Sequence, residues 1–539
     1  MRKKRATQRK IIVIGSGMAG LTAAAYLARA GNAVTLYEQH KEIGGVTATI
    51  TQDGFGWDLG PLLVEGFGPR ERGGALLKEL GIADGVPLKE GDHGLVFPDF
   101  DLRKPPVYTG PNWRRERLEK LFPAEHEGLD RYYRYHTRML GLDAACIEAS
   151  TARGPARLLR RSQLWLAHRG TQGRKSWSAQ RLLDDFFIDR RLKAIFASRL
   201  LNLGVQPGQF AGAGIPSLNV EHSFDERIPH HPGALSSLLF GGKRPSYHFI
   251  LGGCGSLVDA VAGLIRKNGG KIYTGAAVEK ILIDGVRVKG VQLAGGHYEP
   301  ADVVIATGGA RETFYHLVGR EYLPSGLAYQ IDVQPQMESV MMVHLGIDFD
   351  PRPYQPDPVC TYYGTYDIET SLAACRRGEY HEGRDGFIIY IPTLHSPELA
   401  PAGHHAVTLY TPAPNELATP AEVPAAEWAA PWRPATWQNR RRALARALIA
   451  QAETVIPGLR AHTQTQVVLT PEDFRALTHQ AHHAWGGRVP VMGGEGPGYE
   501  TPISGLWFVG SQSKSGGGIQ PVMLGAREAA REIMRAGKR

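Results

Sequence analysis

The chain has 539 residues, 42% hydrophobic and 21% charged, ordinary globular usage that excludes a disordered, collagen-like or coiled-coil protein. Its formal charge of +9 comes from two places: six Lys/Arg among the first ten residues and eight in residues 149–183, a stretch with no Asp or Glu. Elsewhere 48 basic residues face 53 acidic ones, and with no recognisable reading motif nucleic acid is excluded as a partner. The four cysteines, Cys146, Cys254, Cys360 and Cys375, show no C-x-x-C spacing. That argues against a disulfide framework or a cysteine metal site and for a reducing compartment. At about 150 residues per domain the length allows three or four domains or one large two-lobed enzyme.

In chain order, the basic start runs straight into IIVIGSGMAG. Its glycine spacing and the missing cleavage site make residues 11–14 a buried strand rather than a signal peptide. Gly15, Gly17 and Gly20 follow as G-x-G-x-x-G; residues 21–30 read as a helix and residues 33–37 as a second strand ending at Glu38. In such a βαβ unit Gly15 permits the tight turn, Gly17 admits a pyrophosphate to the backbone and Gly20 seats helix on strand. The helix N-terminus offers N–H groups and a positive dipole end, and Glu38 accepts from ribose hydroxyls. Beyond Glu38 a glycine pair, Gly44-Gly45, and Thr49 extend the pattern in the manner of an FAD site. A second fingerprint is absent: GGCGSL at 252–257 lacks a preceding strand and the third glycine spacing, so no separate NAD(P)H domain is expected.

Residues 252–309 read as a helix, short strands at 272–273, 278–283, 286–288 and 291–293, a tight turn at Asp284-Gly285, and a buried strand at 303–305. Residues 411–436, rich in Pro and Ala, read as a surface loop. Residues 506–509 read as a strand, 516–518 as a glycine turn and 522–534 as a helix. No apolar run reaches the roughly 20 residues that span a bilayer. The expected fold class is α/β, with a Rossmann-like FAD-binding domain assembled from residues 1–90, 251–320 and 496–539. A second, α+β substrate lobe takes residues 91–250 and 321–495.

The stretches IGSGMAGLTAAAYLARAGNAVTLYEQHKEIGG, GGCGSLVDAVAGLIRKNGGKIYTGAAVEKI and TPISGLWFVGSQSKSGGGIQPVMLGAREAAREI resemble the cofactor segments of the phytoene desaturase-type flavoproteins. That family lies in the glutathione-reductase-fold, amine-oxidase-like group and includes carotenoid isomerase-like and retinol saturase-like members. The resemblance implies that Gly15, Ser16, Gly17, Ala19 and Gly20 hold the pyrophosphate and Glu38 the ribose. It further implies that Gly44 and Gly45 approach the phosphates and ribityl chain and that Val278 meets the adenine. Gly510 and Ser511 would meet the ribityl side, with Gly518, Ile519 and Gln520 near the isoalloxazine. Val46 departs from the pattern, standing where many relatives carry Arg or Lys.

The implied activity is hydride transfer to or from flavin N5 at carbon–carbon bonds of a lipophilic polyene or isoprenoid: desaturation, saturation or isomerisation. With no NAD(P)H domain, oxygen or a quinone is the expected electron acceptor. Two alternatives stay open: an amine oxidase-like enzyme, and a non-catalytic prenyl-binding protein of the same fold. His483 is the candidate base and Trp485 a candidate pocket wall; a solvated His pair and a core Trp are the plain alternatives. Asp58 is read as a turn-fixing residue, Lys514 as an exposed turn lysine and Cys254 as a packing residue. In residues 149–183, Leu158, Leu159, Trp165 and Leu166 interleave with Arg157, Arg160, Arg161 and Arg169. That pattern suits an anionic membrane surface, against the alternative of a solvated basic helix. A cytoplasmic protein, peripheral on the membrane, is expected.

Overall fold

The computed structural model describes residues 8–68, 71–151, 176–229, 246–334, 337–417, 435–480 and 496–536, with positions 158, 161–162, 164–165 and 172–174 between them. At its centre is a five-stranded parallel sheet in the order Lys271–Tyr273, Ala33–Tyr37, Lys10–Ile14, Val303–Ala306, Leu506–Phe508. Three stretches hundreds of residues apart therefore share one ladder, with Ile12 opposite Val304 and Ile305 opposite Trp507.

Successive strand residues point to opposite faces, and the cores divide accordingly. Ile11, Val13, Val34, Leu36, Val303 and Ile305 pack with helices Met18–Arg29, Gly255–Lys267 and Ile519–Ala536. Ile12, Tyr37, Val304, Ala306, Leu506 and Phe508 pack on the other face, against the antiparallel strands Val278–Asp284 and Arg287–Leu293. Burial on both faces is why the parallel strands read as unbroken apolar runs.

A second, seven-stranded sheet runs Thr463–Leu469, Ser339–Ile347, His405–Ala413, Gly386–Tyr390, Val359–Tyr363, Gly94–Val96, Asp101–Leu102. One face carries Met341, Val343, Leu345 and Ile347 under helix Ala435–Glu453. The other carries Val340, Met342, Val359, Ile388 and Tyr410. A third core, rich in Phe and Tyr, fills a helical layer that includes helices His126–Thr151 and Arg190–Ala197.

Several expectations need correction. Residues 411–413 are not loop: they end the buried strand His405–Ala413, and helix Ala435–Glu453 claims residues 435–436. Pro412 is tolerated there because it lies beyond the pairing with Gly386–Tyr390, which ends at Tyr410. The two strands read at 286–288 and 291–293 are one, Arg287–Leu293, with an irregularity at Gly290. A Cβ at Gly290 would stand 2.1 Å from the Glu299 carbonyl oxygen. A strand, Tyr247–Ile250, does precede GGCGSL, but it pairs antiparallel in a separate small sheet. Of the basic stretch 149–183, Leu158 and Trp165 are exposed at 75% and 55%; Leu159, Leu166, Arg157, Arg160 and Arg169 lie outside the described residues. No helix among the described residues is long and apolar enough to cross a membrane.

Candidate functional site

The turn after strand Lys10–Ile14 is built by glycines with different jobs. Gly15 has φ +94°, and a Cβ there would meet the Thr307 hydroxyl at 2.5 Å. A Cβ at Gly20 would stand 2.1 Å from the Gly15 carbonyl oxygen, so Gly20 seats the helix on the turn and faces protein. Gly17 differs. Its φ of −60° suits any residue, and a Cβ there would meet nothing within 4 Å. The space it would enter is a cavity. Gly17 is also the N-cap of helix Met18–Arg29 with no side-chain cap, which leaves first-turn amides free to bind an anion.

Glu38 ends the second strand and is buried. Its Oε2 accepts from the Ser16 backbone N–H at 2.8 Å and the Ser16 hydroxyl at 2.6 Å, and its Oε1 accepts from the His40 N–H at 3.0 Å. A carboxylate has about four acceptor sites, so these bonds fix Glu38 and leave capacity for ribose hydroxyls. The Gly44 N–H donates to the Ser16 carbonyl at 3.1 Å and to the Ser16 hydroxyl at 3.2 Å. Ser16 thus ties together the glycine turn, the acid and the second glycine pair, where Gly44 and Gly45 have φ +110° and +56°.

The C-terminal segment closes over this cradle. Gly510 has φ +118°, with the Thr307 carbonyl oxygen 2.9 Å from where its Cβ would be. Gly518, φ +100°, leads into helix Ile519–Ala536, and the Gln520 amide donates to the Gly66 carbonyl at 3.1 Å. The whole encloses a cavity of about 1400 Å³, larger than the roughly 300–1,000 Å³ of a single small-molecule site. Gly15, Ser16, Gly17, Ala19, Glu38, Gly44, Gly45, Val278, Gly510, Ser511, Gly518, Ile519 and Gln520 all line it. Of the sequence-derived cofactor residues only Gly20 does not.

Away from the glycine cradle the cavity is walled by Leu62, Leu63, Phe210, Met337, Val359, Ile388 and Tyr410, the last three from the face of the seven-stranded sheet opposite helix Ala435–Glu453. Polar groups there are few. Arg199 donates to the Leu218 carbonyl at 3.0 Å and to His93 Nδ1 at 2.7 Å. His93, buried and beside two guanidiniums, titrates well below the usual histidine range and is neutral at pH 7. Tyr247, whose pKa burial pushes up, lines the same region. His479, at φ +54°, also lines the cavity, its pKa lowered by burial and then by His40. None of these belongs to a glycine motif, and no local signal marked them.

His483 and Trp485 lie outside the described residues; Arg475 to Gln480, just before them, line the cavity. Asp58, Cys254 and Lys514 are absent from the described lining. Asp58 Oδ1 accepts from the Thr49 hydroxyl at 2.6 Å and the Cys254 N–H at 2.8 Å, while the Gly255 N–H donates to Thr49 at 2.8 Å. Asp58 and Thr49 therefore cap helix Gly255–Lys267 from about two hundred residues away, rather than fixing a local turn. That cap satisfies the Cys254 and Gly255 amides at the start of the helix. Cys254 is buried, its thiol pKa pushed far up. Lys514 sits 4.1 Å over the Tyr499 ring and 3.7 Å from Glu528.

The chain is similar to the rat pyridine nucleotide-disulfide oxidoreductase domain-containing protein 2, at 23% identity over 97% of this chain and 93% of that protein. It is similar to the zeta-carotene-forming phytoene desaturase of Myxococcus xanthus at 25% identity (98% and 94% covered). A third relative is prolycopene isomerase 1 of an Oncidium hybrid cultivar, at 24% identity (97% and 83%). Among solved structures, an oxidoreductase from Methanosarcina mazei superposes with a TM-score of 0.57 at 20% identity, covering 98% of this chain and all of that one. Matched over residues 18–534 by the family of flavin containing amine oxidoreductases, the chain belongs to that family and is an FAD-dependent oxidoreductase.

Proposed function

We propose that the protein acts on carbon–carbon bonds of a lipophilic polyene or isoprenoid, as a desaturase, saturase or isomerase. The observation that carries the reading is the single cavity, glycine-lined at one end and apolar beyond it. Bound FAD supplies hydride transfer at N5. The chain's own residues do the rest. The amides after Gly17 bind the pyrophosphate, Glu38 holds the ribose, and Gly44, Gly45, Val278, Gly510 and Ser511 admit the remainder of the cofactor to the backbone. The positive end of helix Ile519–Ala536, at Gly518, Ile519 and Gln520, favours negative charge developing beside it. Leu62, Leu63, Val359 and Ile388 keep water from the reacting carbons. His483 as base and Trp485 as wall remain our assignments, and oxygen or a quinone is the acceptor we assign.

The division into an FAD-binding domain (residues 1–90, 251–320 and 496–539) and a substrate lobe (91–250 and 321–495) belongs to the same reading. It is supported by the three segments that share the parallel sheet. An amine oxidase reading is less well supported, because the curated relatives named above include a phytoene desaturase and a prolycopene isomerase. We also assign a cytoplasmic protein peripheral on the membrane, supported by the exposed Leu158 and Trp165; liposome flotation at low and high salt tests it. The main test is anaerobic mixing of the FAD-loaded protein with polyenes and with amines, followed spectrally and by product chromatography. Flavin bleaching or a new polyene product supports the proposal. Bleaching by amines alone overturns it.

A further inference from the structure

Most buried or half-buried arginines among the described residues pair with carboxylates, and one whose hydrogen bonds go elsewhere lines the cavity. Arg114, fully buried, pairs with Glu221 at 3.1 Å. Arg475, at the cavity wall, pairs with Glu416 at 3.0 Å. Arg199 lines the same cavity and, among the described residues, its guanidinium meets only neutral acceptors, the Leu218 carbonyl and His93 Nδ1.

The surroundings hold Arg199 in place without neutralising it. Its guanidinium lies 5.7 Å from the Phe224 ring centroid and 5.2 Å from that of Tyr247, and the His93 ring packs on Phe224 at 4.6 Å. Because His93 Nδ1 accepts from the arginine, the neutral ring carries its proton on Nε2 and acts as a prop, not a counter-ion. The Tyr247 phenol interacts both with Arg199 and with Glu65, a carboxylate of the cavity wall. A half-buried guanidinium held between the Phe224 and Tyr247 rings, in a cavity also lined by Phe210, Leu203 and Met337, gains from an oxygen acceptor brought by a ligand.

We propose that Arg199 binds a carbonyl or carboxylate oxygen at one end of an otherwise apolar substrate, so that the substrate class is an oxygen-terminated polyene rather than a plain hydrocarbon. This rests on the polyene reading above and narrows it. A charge-assisted hydrogen bond of about 1.5–3 kcal/mol corresponds to roughly tenfold to a hundredfold in affinity.

The experiment measures dissociation constants by tryptophan-fluorescence quenching in detergent micelles, on the FAD-loaded protein and on Arg199→Gln and Arg199→Lys. The probes share one C20 polyene skeleton: retinoic acid, retinaldehyde and the corresponding hydrocarbon, axerophtene. The expected result is that the wild type prefers the acid or the aldehyde over the hydrocarbon by at least about tenfold. R199Q should lose most of that preference while keeping its hydrocarbon affinity and FAD content, and R199K should keep part of it. Equal wild-type affinities for all three probes overturn the inference and need no variant to do so. An R199Q protein that discriminates as the wild type does also overturns it. Failure of the wild type to bind any of the probes instead removes the polyene reading itself, and the inference with it.

Discussion

Gly17 and Gly20 stand three residues apart in one motif, yet the structure separates their roles sharply enough to test. At Gly17 the backbone is in an ordinary extended conformation and a new Cβ touches no protein atom. Gly17→Ala therefore meets no steric barrier in the ligand-free fold, and the gain of about 0.4–1 kcal/mol from restricting the unfolded chain is offset by the poorer N-cap that Ala makes, leaving stability close to unchanged. The same Cβ occupies the space through which a pyrophosphate reaches the helix amides. Losing one or two charge-assisted bonds of about 1.5–3 kcal/mol each weakens FAD binding by roughly ten- to a thousandfold or more; the larger Gly17→Val should abolish it. At Gly20 the Cβ would lie 2.1 Å from the Gly15 carbonyl oxygen and 3.2 Å from its carbon. Backbone cannot swing aside as a side-chain tip can, so Gly20→Ala forces helix Met18–Arg29 off its turn, at about 1–3 kcal/mol or more for overpacking. The assay pairs FAD titration with thermal unfolding of the cofactor-free protein. Gly17→Ala should lose FAD affinity with Tm close to unchanged, and Gly20→Ala should lose Tm even without FAD. Stoichiometric FAD in Gly17→Val, or a ligand-free Tm that falls as far in Gly17→Ala as in Gly20→Ala, would refute the reasoning.

The remaining predictions concern groups that hold the cradle in place. Asp58 is buried and its pKa is raised to about 6 from 3.8, chiefly by desolvation. A folded pKa above the unfolded one means stability that is fully present below about pH 4 and lost as pH rises through 6. The loss is on the order of 3 kcal/mol at 1.36 kcal/mol per unit, so Asp58→Asn should flatten the urea-unfolding free energy between pH 4 and 7 relative to wild type. Ser16→Ala removes the hydroxyl that joins Glu38 to Gly44. FAD affinity should fall by about three- to thirtyfold while the Ser16 backbone bond to Glu38 persists, from a net worth near 1 kcal/mol per bond with a larger share for the charged partner. Glu221→Gln leaves the fully buried Arg114 without its counter-charge and should cost roughly 3–5 kcal/mol in chemical denaturation. A loss below about 1 kcal/mol would mean that the Asn219 side-chain Oδ1, which accepts from Arg114 at 3.0 Å, suffices.

What could be read from the amino-acid order was whatever the backbone itself requires. A tight turn, a close phosphate approach and a helix seated on a strand each demand glycine, so Gly15, Gly17 and Gly20 announce themselves. Fully buried parallel strands announce themselves as β-branched runs, which is how residues 11–14 and 303–305 each read as a strand; that they lie side by side is shown only by the structure. The same logic failed where a tertiary partner overrides a local signal. Pro412 reads as a loop residue until the ladder with Gly386–Tyr390 is seen to end at Tyr410, leaving Pro412 paired on one side only, with Val340. Asp58 reads as a turn former until Thr49 and Cys254 are seen to recruit it as a remote helix cap. Arg199 and His93 were invisible because a guanidinium without a carboxylate is a property of the surroundings, and the residues that would have paired with it are defined only in three dimensions.

The seven-stranded sheet explains why the apolar end of the cavity exists at all. A sheet whose two faces are both apolar must cover both. Helix Ala435–Glu453 covers the face carrying Met341, Val343 and Leu345; on the other face Phe249 and Phe474 pack with Val359, Ile388 and Tyr410, and among the described residues these last three also line the cavity. An apolar surface that lines a cavity in this way gains about 25 cal/mol for each Å² that a ligand shields from water. The driving force for an apolar chain is therefore built into the sheet, and it is the same for any chain of suitable width. Discrimination has to come from polar groups, and on that wall they are sparse. The cofactor end of the cavity is specified by backbone, the middle by that sheet face, and the choice among apolar ligands falls to the handful of side chains around Arg199, where a single substitution redirects it.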